Sequence, residues 1–167
     1  MNKTLWAVSI GILLTFLLST SVWAEDLEVT ADKFTHLESQ NKAVFEGHAH
    51  ATQGKSWINA DKFVIFFDQN NTAKQYRAIG NVDFEIDRPQ QHVKGKCQKL
   101  TYTVAAETYL AEGNATLNDL LNHRQMYGDE IFLDNLNRKA SAKSNHKGPV
   151  KFIFQMKDAA PKKKKKK

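Results

Sequence analysis

The sequence AVFEGHAHATQGKSWINADKFVIFF, from Ala43 to Phe67, decides the fold of this protein. Small and apolar residues occupy alternate positions in its first half, a polar turn follows at 52–55, and Ile58 and Ala60 continue the alternation. Alternation with period two on both sides of a polar turn is typical of a half-buried antiparallel hairpin. The stretch therefore predicts two paired strands that share one apolar face.

Three glycines mark an internal repeat. Gly47, Gly80 and Gly113 lie 33 residues apart, and apolar residues flank each of them at even offsets. A second element also recurs, in which a small residue stands three positions before an apolar one. An internal period of this size predicts a repeated supersecondary unit. The second element occurs as Ala31 and Phe34, Ala60 and Phe63, Cys97 and Leu100, and Gly128 and Ile131.

The alternating pattern is strongest at 76–86, where shifting the register by one residue would bury Asp83 and Glu85. A change of parity between Cys97 and Leu100 predicts a β-bulge. No segment after residue 24 carries a helical stripe, although 118–124 could form one helical turn. The sequence therefore predicts an all-β fold of repeated antiparallel hairpins, stacked edge on edge and open at both ends. Unpaired strands at those ends predict end-to-end self-association.

The length of 167 residues fits a single folded domain. Residues 1–24 have the pattern of a signal peptide, with Lys3, an apolar run and a Val-Trp-Ala cleavage site, and a retained membrane anchor is the alternative. Residues 25–157 form the predicted β domain, and the lysine-rich residues 158–167 are predicted to be disordered. That tail could attract anionic lipid head groups or be a cloning remnant.

The net charge of +6 belongs to the two ends of the chain. Lys3 and the six lysines of 162–167 supply seven positive charges, so the remainder carries −1. The predicted domain therefore has no overall basic character, and export makes a nucleic-acid partner improbable.

Motifs for catalysis or metal binding are missing from the sequence. It contains no nucleophile elbow, His-Glu-x-x-His helix or phosphate loop, which argues against an enzyme, and no cofactor is expected. His48 and His50 project to the same side of a strand, but a zinc site needs at least one further ligand, so we expect solvated histidines and no metal. Cys97 is the single cysteine; no internal disulfide can form, and its position in a small-residue slot predicts burial.

The alternating residues alone do not separate a packed core from a ligand-binding face. The same apolar face could pack against a second sheet or line a groove for an apolar ligand. Small residues on that face leave room for a ligand: Ala49, Ala51, Gly80, Ala111 and Ala115.

Several short motifs resemble one family. Phe45-x-Gly47, Thr52-Gln53-Gly54 and the run Ile58 to Lys62, followed by residues 95–102, 112–115 and 128–129, resemble the OstA-like (LptA-like) family of periplasmic lipopolysaccharide-transport proteins. The resemblance implies an antiparallel β-jellyroll, or β-taco. It implies a periplasmic bridge that carries lipopolysaccharide from an inner-membrane complex with an LptC-like partner to an LptD-like outer-membrane translocon. The lipid A acyl chains would lie in a hydrophobic groove, and the bridge would have no chemistry of its own.

The resemblance also implies which residues line that groove. Leu27 and Val29 match an apolar pair on the family's first strand, which faces the groove and forms the partner edge. The other groove residues match the first hairpin or follow from alternation alone: Phe45, Ala49, Ala51, Ile58, Val82, Phe84, Tyr102, Leu117 and Phe132. His48 and Trp57 replace commoner residues of the family. Two alternatives stay open, a membrane-anchored LptC-like relative and a structural β-repeat scaffold that binds no lipid.

Overall fold

The computed structural model describes residues 25–145 and 148–155. The predicted signal peptide and the lysine-rich tail lie outside the described residues. No helix in the described part is long and apolar enough to cross a membrane. Ten strands and one 3₁₀ turn, Glu38–Gln40, make up its regular structure: β1 Leu27–Thr30, β2 Lys33–Leu37, β3 Lys42–Gln53, β4 Ser56–Phe67, β5 Ala73–Arg88, β6 Gln91–Thr103, β7 Thr108–Asp119, β8 Arg124–Asp134, β9 Lys139–Lys143 and β10 Lys151–Phe154.

All ten strands belong to one antiparallel sheet. The order is β1-β3-β4-β5-β6-β7-β8-β10, with β2 also beside β3 and β9 also beside β8. Each long central strand, of 11 to 16 residues, pairs with its neighbours in the sequence. At each end of the sheet, one long strand pairs along its outer edge with two short strands. This confirms the predicted all-β, open stack of hairpins.

The hairpin predicted from the opening stretch is the pair β3 and β4. Gln53 pairs with Ser56 across a two-residue turn at Gly54 and Lys55, as the polar turn predicted. Residues 120–123 form a turn between β7 and β8, so the short helical turn considered for 118–124 is wrong. A four-residue hairpin turn satisfies the backbone there without a helix.

The three repeated glycines lie where the strands bend. Gly47, Gly80 and Gly113 have φ values of 79°, 80° and 84°. The residue after each, respectively a histidine and two asparagines, also has a positive φ of 45° to 47°. The registers of β3, β5 and β7 shift at these positions. Glycine tolerates a left-handed backbone at little cost, which explains its recurrence at each bend.

The second repeated element forms the other half of the same bends. The Asp32 backbone N–H donates to the Gly47 carbonyl at 2.9 Å, and the Asn81 side-chain amide donates to the Asp61 carboxylate at 2.9 Å. Inward-facing residues lie four positions apart on the glycine strands but three apart on the strands between them. The extra residue is the bulge. The two sequence repeats therefore describe one structural line, which we call the crease.

The crease divides the sheet into two limbs. The first limb holds β1, β10 and residues 49–53, 56–60, 82–88, 91–97, 115–119 and 124–128; the second holds β2, β9 and residues 42–46, 62–67, 73–79, 99–103, 108–112 and 130–134. One buried apolar cluster draws residues from both limbs. The sheet is thus folded over along the crease, with the apolar faces of the limbs turned towards each other.

The outer faces of the limbs are polar. In the second limb, Lys99 bonds Glu112 at 2.6 Å, and Lys62 bonds Glu46 at 2.8 Å. In the first limb, the Glu85 carboxylate accepts hydrogen bonds from His92, Lys94 and Trp57, and these bonds hold the pKa of Glu85 below its usual range. Charged residues on one face and apolar residues on the other fix the register of each strand.

Candidate functional site

The space between the limbs, which we call the interior, has two different walls. The second limb contributes a continuous row of aromatic rings: Phe34, Phe45, Phe63, Tyr76, Tyr102 and Tyr109. Successive ring centroids in this row are 5.0, 6.5, 6.2, 6.1 and 4.4 Å apart. The first limb presents mainly aliphatic and small side chains, among them Ala49, Ala51 and Val82. An aromatic wall therefore faces a mainly aliphatic one.

Ten of the eleven predicted groove residues lie in or against this apolar cluster. Five of them are almost fully buried, and five are half-buried at its edges. The buried residues are Ala49, Ala51, Val82, Phe84 and Leu117; the half-buried ones are Leu27, Val29, Phe45, Ile58 and Tyr102.

The structure does not place Phe132 in the interior. Phe132 pairs with Leu110, and both lie outside the apolar cluster. Its neighbours Ile131 and Leu133 face inwards, and Ile131 is only 1% exposed. Simple alternation fails here because the crease changes the parity of β8 between Gly128 and Ile131. On this part of β8, the inner-face positions are Ile131 and Leu133.

The same change of parity explains which interior residues the sequence prediction missed. Phe63, Leu100 and Ile131 are all buried, and each is the apolar member of a small-x-x-apolar element. Had both members of that element been placed on the inner face, these three residues would have been found.

The interior is tightly packed between β5 and β8. Between β5 and β8, only about 10 Å³ of open space remains, enough for about one water molecule. Phe84, Ile86 and Leu117 line it from the first limb, and Tyr109 and Ile131 line it from the second. A ligand larger than a water molecule can enter here only if the limbs move apart.

We call the side of the interior opposite the crease the open margin, because the strands do not connect the limbs there. Polar groups lie along it. Gln91 and Asn135 come from different limbs and exchange two side-chain hydrogen bonds, each 3.2 Å long. The Arg88 guanidinium carbon lies 5.8 Å from the ring centroid of Tyr102, again across the two limbs. These contacts join the limbs with polar groups, where the rest of the interior uses apolar packing.

Beneath these groups lies a buried hydroxyl. Tyr109 is 5% exposed, and its hydroxyl has no hydrogen-bond partner among the described residues. Burial raises the pKa of Tyr109 to about 12, so the phenol is protonated and able to donate. An unpartnered buried hydroxyl costs about 1–3 kcal/mol of folding free energy.

Both ends of the sheet expose apolar side chains. Phe34, in the edge strand β2, is 60% exposed. At the other end, the three apolar residues of β10 are between 40% and 54% exposed. The interior cluster also extends to both ends of the sheet, where Leu27 and Val29 of β1 and Ala142 of β9 pack against it.

The two histidines considered as metal ligands form hydrogen bonds, and the cysteine lies in the core. His48 Nδ1 lies 2.7 Å from Asp32, and this hydrogen bond raises the pKa of His48. His50 bonds Asn59 at 2.6 Å. Within 25–145 and 148–155, no three potential ligand side chains are grouped to hold a metal ion. Cys97 is 4% exposed, and burial raises its pKa to about 12, which confirms its predicted burial.

Comparison with known proteins gives a match to a family model and matches to solved structures. A family model described as LptA/(LptD N-terminal domain) LPS transport protein matches residues 28–159. The crystal structure of LptH from Pseudomonas aeruginosa, described as the LptA homologous periplasmic component of the conserved lipopolysaccharide transport device, superposes with a TM-score of 0.67. The alignment covers 79% of this chain and 96% of LptH at 18% identity, a similarity of fold. A search of curated proteins found no match.

The fold match confirms the predicted β-jellyroll class. The family match spans nearly the whole described chain and confirms the predicted resemblance. The chain belongs to the LptA/(LptD N-terminal domain) family of LPS transport proteins.

Proposed function

We propose that this protein is a periplasmic bridge that binds lipopolysaccharide by its lipid A acyl chains, in the interior between the limbs. The observation that carries the proposal is the single apolar cluster that both limbs share and that reaches both edges of the sheet. A lipid with several acyl chains needs an elongated apolar site and a water-facing exit for its sugars. In this proposal the interior is the elongated apolar site, and the sugars leave it at the open margin.

Burial of acyl chains provides the driving force. Each methylene group removed from water contributes about 0.8 kcal/mol. The limbs already bury much of their own apolar surface, so part of this gain is offset when they separate. A net affinity below the full transfer free energy suits a carrier, which must release its lipid to the next protein.

The two ends of the sheet would bind the partners. In our proposal, β1, with Leu27 and Val29, meets the LptC-like inner-membrane partner or the preceding copy of the chain. The β8 to β10 end meets the next copy or the LptD-like translocon. Edge strands with free backbone groups bind other chains by strand addition, and a strand added in register would continue the apolar wall.

A photo-crosslinker on adjacent residues of β5 tests the lipid site. We expect a crosslinker that replaces Phe84 to capture lipopolysaccharide in cells with an active transporter, because Phe84 faces the interior. A crosslinker at Glu85 is the matched control, because that side chain bonds Trp57, His92 and Lys94 on the outer face. Immunoblotting for lipopolysaccharide adducts gives the readout.

Equal capture at both positions, or capture at neither, would contradict the lipid site and support a structural β-repeat scaffold. The mass of the mature N-terminus would separate the bridge from a membrane-anchored relative, because only cleavage near Glu25 releases the domain.

A further inference from the structure

Arg88 is a positive charge at the open margin without a carboxylate partner. No salt bridge among the described residues involves it; its guanidinium donates to the Gln53 amide oxygen at 3.2 Å and also interacts with the Tyr102 hydroxyl. The carboxylate of Glu107 acts on Arg88 from outside salt-bridge distance. By contrast, Arg124 lies 2.6 Å from Asp119. Most donors of the Arg88 guanidinium are therefore available to a ligand.

The groups around Arg88 are suited to bind an anion. The Tyr102 ring lies beneath the guanidinium, and Gln91 and Asn135 carry amide groups at the same margin. The Tyr109 hydroxyl has no hydrogen-bond partner among the described residues, and Tyr109, which is 5% exposed, lines the same small cavity as Gln91. A planar guanidinium binds a phosphate oxygen pair with two parallel hydrogen bonds.

We propose that Arg88, Gln91, Asn135 and Tyr109 bind a phosphate monoester on the head group of the lipid whose acyl chains occupy the interior. This inference rests on the proposed function and adds a polar subsite to it. Arg88 supplies the charge, and the amides and the phenol supply neutral donors.

Opening the limbs would complete the subsite. In the closed structure, Gln91 and Asn135 bond each other, which occupies the oxygen and one of the two N–H groups of each amide. Parting the limbs to admit acyl chains separates this pair and leaves both amides in need of partners. A phosphate at the margin replaces the lost hydrogen bonds and gives the Tyr109 hydroxyl an acceptor. Binding of the chains and binding of the head group are therefore coupled.

The test compares two lipids and three proteins. The lipids are hexa-acylated lipid A with both phosphates and the same lipid with the phosphates removed, each carrying a fluorescent label. The proteins are the unmodified domain, Arg88→Gln and the control Arg77→Gln. Arg77 lies on the same strand but outside the apolar cluster, where it stacks on Phe66 at 4.8 Å. Thermal unfolding of each variant checks that it is folded.

We expect Arg88→Gln to lower the affinity for phosphorylated lipid A about tenfold, because the variant loses a charged hydrogen bond to the phosphate. Its affinity for the dephosphorylated lipid should stay unchanged, and Arg77→Gln should bind both lipids normally. A fourth protein, Arg88→Lys, should bind phosphorylated lipid A with an affinity between those of the unmodified domain and Arg88→Gln, since lysine keeps the charge and loses the paired donors. An excess of inorganic phosphate should displace little of the bound lipid.

Each other result has a defined meaning. If the unmodified domain binds both lipids equally and Arg88→Gln changes neither, the phosphate subsite is wrong while the acyl site stands. If inorganic phosphate displaces the lipid, the margin binds free phosphate and the head-group assignment is wrong. If the unmodified domain binds neither lipid, the proposed function itself fails.

Discussion

His48 stands in the crease at the position where the two later repeats carry Asn81 and Asn114. All three have φ between 45° and 47°, a region that asparagine tolerates better than most residues. His48 keeps the local chemistry, because its Nδ1–H donates to Asp32 as the Asn81 amide donates to Asp61. What differs is that histidine titrates and asparagine does not.

We predict that His48 makes stability depend on pH. The hydrogen bond that His48 donates to Asp32, followed by the charges of Asp32 and Asp61, raises the pKa of His48 in the folded protein. The resulting stabilisation is fully present below the unfolded pKa, about 6.5, and is lost as the pH rises through the raised folded value. The measurement is the free energy of unfolding in urea, for the wild type and for His48→Asn, between pH 5 and 9. The wild type should gain stability relative to His48→Asn as the pH falls. A constant difference across this range would contradict the prediction.

The crease is the element that turns a flat sheet into a folded one. It consists of one glycine bulge on every second strand and an Asp or Gln on the strand beside it. A Cβ on Gly80 would lie 2.3 Å from an Asp61 carboxylate oxygen, and one on Gly113 would lie 2.7 Å from the Gln98 Cβ. Both the backbone conformation and the available space therefore exclude a side chain.

We predict that Gly80→Ala destabilises the domain by about 2 kcal/mol or more, since alanine costs about 1–2 kcal/mol at positive φ before any clash is counted. Equilibrium urea unfolding gives the value. Introducing Gly80→Ala into Asp61→Ala separates the two causes, because both proteins lack the carboxylate that lies 2.3 Å from the new Cβ and both lack the Asn81–Asp61 hydrogen bond, while the backbone cost remains. A stability within 0.5 kcal/mol of wild type would show that the bend does not depend on this glycine.

Both repeats that form the crease could be predicted from the sequence, but the fact that they pair with each other to form one bend could not. The spacing of Gly47, Gly80 and Gly113 and the small-x-x-apolar elements were both visible as repeats. Periodicity within one strand does not reveal that the two repeats pair with each other, because pairing is a relation between strands. For that reason, alternation placed Phe84 and Leu117 correctly and put Phe132 on the wrong face.

At the scale of the whole molecule, the limbs are held together from both sides. The crease joins them covalently through every long strand, and the Gln91–Asn135 pair joins them at the open margin. The apolar packing between them leaves about 10 Å³ of open space next to Phe84 and Tyr109. No pattern of alternation could predict this closure, since the sequence specifies which residues face inwards and not how far apart the two faces stand.

We predict that Asn135→Ala makes opening easier. It removes both hydrogen bonds to Gln91, which should cost about 1 kcal/mol of stability and raise the rate of lipid uptake about fivefold. Stopped-flow fluorescence with labelled, dephosphorylated lipid A measures uptake without involving the phosphate subsite. Asn137→Ala is the control, since its amide bonds only Asp134 within the same turn. Equal uptake rates in the two variants would mean that the amide pair does not restrain the limbs.

Cys97 gives this molecule a built-in reporter. It is the single thiol of the chain, it lies on the inner face of β6 beside the crease, and its high pKa keeps it unreactive while it is covered. Any modification by a water-soluble thiol reagent must therefore pass through a state in which the limbs have separated or the domain has unfolded. The labelling rate therefore measures how often the thiol becomes exposed, and the measurement needs neither an engineered cysteine nor an attached dye.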